Sequence, residues 1–323
     1  MNGTAAITRR SALALAAAAA WRPGFAAAPA ELRIGFQKSM IGLALLKLQG
    51  MLDKRLTGTK VSWHEFPAGP QLLEALSVGS VDIGATGDSP PVFAQAAGKE
   101  LLYVGAEPPK PLAAAILVKP DGPVKTLADL KGRRIGLQRG SSANYLTVRA
   151  VAKAGLQWRD IQAVYLPPAD GRAAFERGAI DAWAIWDPYF AAGEIEGGTQ
   201  VLPGSQGLTL NNTVYLASPR FAASQGAVLQ QVFDALTEVD VWRREHRKEA
   251  AQAYAEFAGL GLAAVHRVLE RRPPAPVRPL TPEIVAEQQR IADAFAQLQL
   301  IPKPIQVAQI VWQPGSNRVA QAR

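Results

Sequence analysis

The residues of this sequence best suited to chemistry are hydrogen-bond donors gathered where strands end and helices begin. Gly140-Ser141-Ser142 follows a short apolar run and opens a helical stretch over residues 143–154. Two hydroxyls and the unpaired N–H groups of a helix N-terminus make a site for an oxyanion. The same serines can also act as plain N-caps, and one can cap while its neighbour donates. Thr86-Gly87-Asp88 is an earlier counterpart, where Gly87 permits close backbone approach and Thr86 offers a donor. Asp88 and Asp187 each precede a helix with proline in its first turn, which predicts N-capping for both. Gln37 and Gln138 hold matching strand-end places, where an amide can donate to an anion or close a loop. Trp183 and Trp186 sit three apart on one strand and so face opposite sides. Trp186, nearer the carboxyl end, is expected to line a cleft, and Trp183 to lie in the core. Lys38 and Arg139 would make such a cleft positive.

Catalytic patterns are absent from the sequence. His64-Glu65 begins like a zinc-protease motif, but no histidine lies four residues after His64, and Pro67 forbids the helix. Gly87-Asp88-Ser89-Pro90-Pro91 lacks the second glycine of a nucleophile elbow. There is no phosphate-binding loop or dinucleotide fingerprint. His246 and His266 fall in a helical C-terminal region and read as surface residues. No catalytic residues, metal ligands or cofactor are expected.

The elements that must position these donors are written twice. Arg33-Ile34-Gly35-Phe36-Gln37 returns as Arg134-Ile135-Gly136-Leu137-Gln138. The turn at Phe66-Pro67-Ala68-Gly69, the helix after it and Val81-Asp82 are answered by Leu166-Pro167-Pro168-Ala169, a helix and Ile180-Asp181. Each copy reads strand, helix, strand, helix, strand, helix, a pattern of parallel strands with crossover helices. Ligands of open α/β sheets bind beyond the carboxyl ends of the strands. Between the copies, the apolar run 113–118 is expected to cross from lobe one to lobe two, and 213–217 to cross back. From residue 227 the pattern is helical, with further helices near 248–271 and 282–298 packing on lobe one. The predicted organisation is therefore a signal peptide over 1–30, lobe one over 31–117, lobe two over 118–212, and a return to lobe one over 213–323.

The first thirty residues differ in kind from the rest. Arg9-Arg10 precedes a brief Ala/Leu run, and Ala28-Pro29-Ala30 is a small-x-small cleavage site. The run is too short to span a bilayer, and the arginine pair points to twin-arginine export. Cleavage after Ala30 removes three of the 35 basic residues and none of the 27 acidic ones, leaving a mature charge of +5. The charge is spread along the chain without the dense basic run of a nucleic-acid or membrane binder, and suits a small anionic ligand. There are no cysteines, which excludes a lipidated N-terminus, a disulfide framework and thiolate chemistry. A free, monomeric periplasmic protein is expected.

Several longer stretches carry a resemblance. EFPAGPQLLEALSVGSVDIGATGDSPPVFAQAAG (residues 65–98), VGAEPPKP (104–111), DLKGRRIGLQRGSSANYL (129–146), AIDAWAIWDPY (179–189) and RRPP (271–274) together resemble the aliphatic-sulfonate-binding proteins of ABC importers. The resemblance runs from about Leu32 to Pro314. It implies a two-lobed α/β periplasmic binding protein of the second topological type, with two open sheets joined by two crossing strands and a hinge. It also implies a sulfonate held near Gln37, Thr86, Gly87, Asp88, Gly140, Ser141, Ser142 and Trp186, delivered to an inner-membrane permease driven by a cytoplasmic ATPase. Asn211-Asn212-Thr213 departs from relatives, which often carry a glycine-serine pair there, and this bears on tail selectivity. Neutral donors and helix N-termini suit a sulfonate better than one buried ion pair. With both aspartates occupied by helix N–H groups and apolar surface from Trp186, Pro67 and Pro167, taurine is expected to bind less well than ethanesulfonate. The rivals are taurine, nitrate or another oxyanion on the same scaffold, an enzyme on it, or a periplasmic sensor.

Overall fold

The computed structural model describes residues 28–196 and 198–313. The expected signal peptide therefore lies outside the described residues, apart from its last three. Among them, no helix is long and apolar enough to cross a membrane.

Leu32, Ile34 and Phe36 alternate along the first strand, β1 (Glu31–Phe36), and all three are fully buried. The chain continues through α1 (Ile41–Leu48), α2 (Met51–Arg55), β2 (Lys60–Glu65), α3 (Gly69–Ser77), β3 (Ile83–Gly87), α4 (Pro90–Ala96) and β4 (Leu102–Ala106). β1 pairs in parallel with β2 and β3. The second lobe repeats the plan with β5 (Ala114–Val118), β6 (Arg134–Leu137), α5 (Ser142–Lys153), β7 (Gln162–Tyr165), α6 (Pro168–Glu176), β8 (Ala182–Trp186), α7 (Tyr189–Glu196) and β9 (Gln200–Val201). There β6 pairs in parallel with β7 and β8. After β10 (Thr213–Ala217) come, among the described residues, five α-helices: α8 (Pro219–Ser224), α9 (Gly226–Glu245), α10 (Arg247–Ala258), α11 (Leu262–Glu270) and α12 (Pro282–Gln297).

The internal repeat is visible as matched contacts. Arg33 Nη2 meets Asp82 Oδ1 at 2.6 Å, and Arg134 Nη2 meets Asp181 Oδ1 at 2.8 Å. In each copy the aspartate N–H also donates to the arginine carbonyl, so the pair fixes the same register twice. Gly35 and Gly136 match as well: a Cβ would stand 3.1 Å from Leu72 Cγ in one copy and 2.2 Å from Ile180 Cδ1 in the other.

The sheets are ordered β2-β1-β3-β10-β4 and β7-β6-β8-β5-β9. The apolar runs 113–118 and 213–217 do not themselves make the crossings. They end up as β5, antiparallel to β8, and β10, antiparallel to β3 and β4. The chain passes between lobes at 107–113 and 202–212, so the first boundary falls before the expected residue 117. A five-residue apolar run reads alike whether it bridges two lobes or completes one sheet. The two crossing segments are tied together by Glu107 N–H to Thr213 O and Lys110 N–H to Leu210 O, both 2.9 Å.

The C-terminal helices complete lobe one. Leu229, Val232, Tyr254 and Val265 share a core with β1 and α1, and Ile291 and Phe295 of α12 share one with Leu72 and Val92. Full burial of each such side chain contributes about 1.5–3 kcal/mol. The single helix expected over 248–271 is two, α10 and α11. Gly259 adopts φ +67 in the left-handed region and stops α10, a conformation open to glycine and strained for other residues.

Candidate functional site

The strand ends of both lobes meet around one cavity. Its walls include Gln37 after β1, Gly87 ending β3, Ser141 and Ser142 opening α5, and Trp186 ending β8. These five of the eight expected residues are brought together. Gly87 and Ser142 touch across the cleft, and a Cβ at Gly87 would lie 2.1 Å from Ser142 Oγ. The lobes also meet where Tyr145 of α5 lies 5.8 Å from Phe295.

The other three expected residues do not line the cavity. Thr86 donates to the Gly87 carbonyl at 2.8 Å. Gly140, at φ +69, turns the chain into α5, and its N–H donates to Asn144 Oδ1 at 3.1 Å. Asp88 is buried and caps no helix: its Oδ1 accepts from Ser89 Oγ at 3.0 Å, and Ser89 holds the N-cap position of α4. Burial raises the Asp88 carboxyl above its ordinary range, against the opposing pull of Ser142, Ser89 and Lys110. Asp187 is a cap in part, accepting Ala191 N–H at 3.1 Å, but it also pairs with Arg271 and lines the cavity.

Ser141 and Ser142 divide the work of the helix start. Ser141 is the N-cap: its Oγ accepts from Asn144 N–H at 3.4 Å and donates to Gln138 O at 2.7 Å. Ser142 is the first helical residue, so its N–H belongs to the orphan donors of the first turn. Gln37 Nε2 donates to Ala85 O at 3.0 Å while the residue faces the cavity. Ser39 adds a buried hydroxyl with no partner in the protein.

The positive charge does not come from Lys38 or Arg139. Lys38 donates to Ala258 O, and Arg139 lies over the Tyr165 ring. It comes from Lys110 and Arg272, which line the cavity. The buried Lys110 Nζ donates to Asn211 O at 2.9 Å and Thr213 Oγ1 at 2.6 Å, leaving one ammonium proton for a ligand. Burial pushes this ammonium down to about 8, with Glu107 pulling the other way. Arg272 pairs with Glu107 at 2.6 Å, and the Tyr215 hydroxyl donates to the same carboxylate. The expected positive charge is therefore present but has other carriers: Lys110 on a crossing segment and Arg272 after α11, beside the neutral donors. The apolar wall is Met40, Ile41, Pro90, Val268 and Trp186, not Pro67 or Pro167. Trp183 lies in the core against Phe175, as expected.

A two-lobed α/β scaffold with helix N-termini and buried cations on a shared cavity can hold an anion with an apolar tail. Comparison with known proteins bears on which family built it. The family described as NMT1/THI5 like matches residues 58–250. The chain belongs to this NMT1/THI5-like family. Within it, a relative from Escherichia coli (strain K12), whose name describes an aliphatic sulfonates-binding protein, is 48% identical over 286 residues. That alignment covers 88% of this chain and 90% of the relative. The solved alkanesulfonate-binding protein SsuA of Xanthomonas axonopodis pv. citri, bound to MOPS, superposes with a TM-score of 0.86 at 48% identity, covering 89% of this chain and 99% of that one. The periplasmic aliphatic sulphonate binding protein SsuA of E. coli gives 0.81 at 47% identity, covering 91% and 96%. For an NMT1/THI5-like protein the residues missed in the sequence have a common origin. Lys110 sits on a crossing segment, and Val268 and Arg272 in the C-terminal helical region. None has a periodic or repeated signal. The VGAEPPKP and RRPP stretches did contain Lys110 and Arg272, and a cation beside prolines in a conspicuous stretch was the available clue.

Proposed function

We propose that the protein is the periplasmic binding component of an ABC importer, capturing an aliphatic sulfonate between its lobes for sulfur acquisition. The carrying observation is the composition of the cavity. Ser142 at the start of α5, the Ser39 hydroxyl and the Lys110 ammonium face a wall of Met40, Ile41, Pro90, Val268 and Trp186. A sulfonate stays anionic at biological pH, so it can use helix-terminal N–H groups and a buried cation together, while its tail removes apolar surface from water. The printed descriptions of the relatives support the same ligand class. The role is capture and delivery to a membrane permease with its ATPase, by a monomer that performs no reaction. Light scattering that reported a dimer would remove the monomer. Ligand binding to the native state alone stabilises it by about 2.7 kcal/mol at a hundredfold excess over Kd. Butanesulfonate should therefore raise the melting temperature, whereas an equal concentration of nitrate should not. The reverse order would favour the oxyanion rival.

Delivery to the periplasm by the twin-arginine route belongs to the same proposal and rests on Arg9-Arg10 before a weakly apolar run. Arg9→Lys with Arg10→Lys should leave precursor in the cytoplasm. Undiminished periplasmic protein would assign export to the general secretion route.

A further inference from the structure

The two adjacent arginines at the end of α11 have different attachments. Arg272 pairs with Glu107 at 2.6 Å, where the chain leaves β4. The loop after it is held by α9 of lobe one: Arg243 Nη2 donates to Pro273 O at 3.3 Å, and Ala275 N–H donates to Asp240 Oδ2 at 3.0 Å. Arg271 reaches the other way. Its Nη1 donates to Asp187 Oδ1 at 3.2 Å, its Nη2 pairs with Glu194, and its guanidinium lies 3.8 Å over the Phe190 ring. Asp187, Phe190 and Glu194 all belong to lobe two, just after β8 and on α7. We infer that Arg271 is an inter-lobe latch that sets how long a captured ligand stays, without touching it. This rests on the sulfonate-capture reading and concerns its release step.

Arg272 lines the cavity and Arg271 does not. The Arg271 side chain is 9% exposed, Asp187 7% and Glu194 17%, so the cluster is shielded from water. The surfaces that carry its two sides meet beside it. α11 packs against α7, Ala191 of α7 is buried within the lobe-one core, and Gly261 N–H donates to Glu196 Oε1 at 3.4 Å. The covalent links between the lobes run at 107–113 and 202–212, so the α11–α7 contact parts when the hinge opens. In the open protein water solvates all three charged groups, and removing Arg271 costs little. In the closed protein its removal strands two buried carboxylates, which costs more than the intact pair contributes. The loss therefore falls on the closed state alone. A ligand meets the open lobes but leaves by reopening the closed ones, so the effect belongs to release rather than association.

The test times both steps. Ethanesulfonate and butanesulfonate are mixed with protein by stopped flow in sulfonate-free buffer, read by tryptophan fluorescence with Trp186 in the cavity wall. The slope of the observed rate against ligand concentration gives association, and the intercept gives release. Arg271→Ala should release both ligands roughly tenfold or more faster, by the same factor, with association unchanged. Asp187 lines the cavity but Glu194 does not, so Glu194→Ala reads the latch apart from the ligand. It should speed release in wild type and add nothing in Arg271→Ala. Without ligand, Arg271→Ala should melt with wild type, and only the rise on adding ligand should shrink. Unchanged release, a factor that differs between the two tails, or a Glu194→Ala effect equal in both backgrounds overturns the inference. So does an Arg271→Ala protein that fails to fold, or that melts as much lower without ligand as with it, because Arg271 would then serve the fold. Folded wild type that bound no alkanesulfonate would overturn the sulfonate reading, and the latch with it.

Discussion

Ser141 and Ser142 are adjacent in sequence yet hold different positions. Ser141 closes the first turn of α5 through Asn144 N–H and Gln138 O, and Ser142 faces the cavity. Ser141→Ala should therefore cost about 0.5–2 kcal/mol of fold stability, as loss of an N-cap does. Ser142→Ala should instead weaken sulfonate binding by about 1.5–3 kcal/mol, as loss of a donor to charge does. Melting and calorimetry on the two single variants read these apart. Affinity lost only in Ser141→Ala would reverse the assignment. The hydroxyl pair was legible because a helix start has a sequence signature. Lys110 was not, because its environment is made by Asn211 and Thr213, about a hundred residues away on the returning segment. Asp88 misled for a related reason. An aspartate before proline reads as a cap, but here Ser89 takes that position and the carboxyl is buried beside Lys110 and Ser142.

At the scale of elements, the site is the meeting of the end of β3 with the start of α5. No side chain fits at Gly87, since a Cβ would lie 2.1 Å from Ser142 Oγ and 3.4 Å from Ser142 Cβ. Gly87→Ala should hold the lobes apart and weaken binding by about 1–3 kcal/mol, the range for overpacking. Removing the obstructing hydroxyl relieves the clash, because 3.4 Å to Cβ is ordinary contact. The double variant with Ser142→Ala should then bind no worse than Ser142→Ala alone, and calorimetry on the four proteins checks the cycle. An additive loss would mean that the two elements do not meet in the bound state. These elements were readable in advance because the repeat placed each helix start after a strand. The pairing of β5 and β10 was not readable, since burial on both faces leaves an apolar run without alternation. Nor was the break at Gly259, since a lone glycine in a helical pattern is compatible with continuation.

For the whole molecule, closure brings residues from both lobes, the crossings and the C-terminal helices against one ligand. That was legible as a class of architecture, while the hinge chemistry within it was not. Closure also sets a pH dependence. Lys110 titrates at about 8 rather than 10.5 in the folded protein. Between those values the unfolded chain binds more protons, so the contribution of Lys110 to stability rises with pH over that window. Affinity moves the opposite way. A bound sulfonate favours the ammonium, and the free protein loses that proton above about pH 8. For a simple alkanesulfonate Asp187 acts in the same sense, because its negative charge appears above about 7. The most direct measurement is a calorimetric titration of methane- to pentanesulfonate, at neutral pH and again above the Lys110 value, in sulfonate-free buffer. One ligand should bind per chain, each added methylene should contribute about 0.8 kcal/mol until the apolar wall is covered, and every affinity should fall at the higher pH. Folded protein that bound none of the series, or bound it with affinity independent of both tail and pH, would contradict the account.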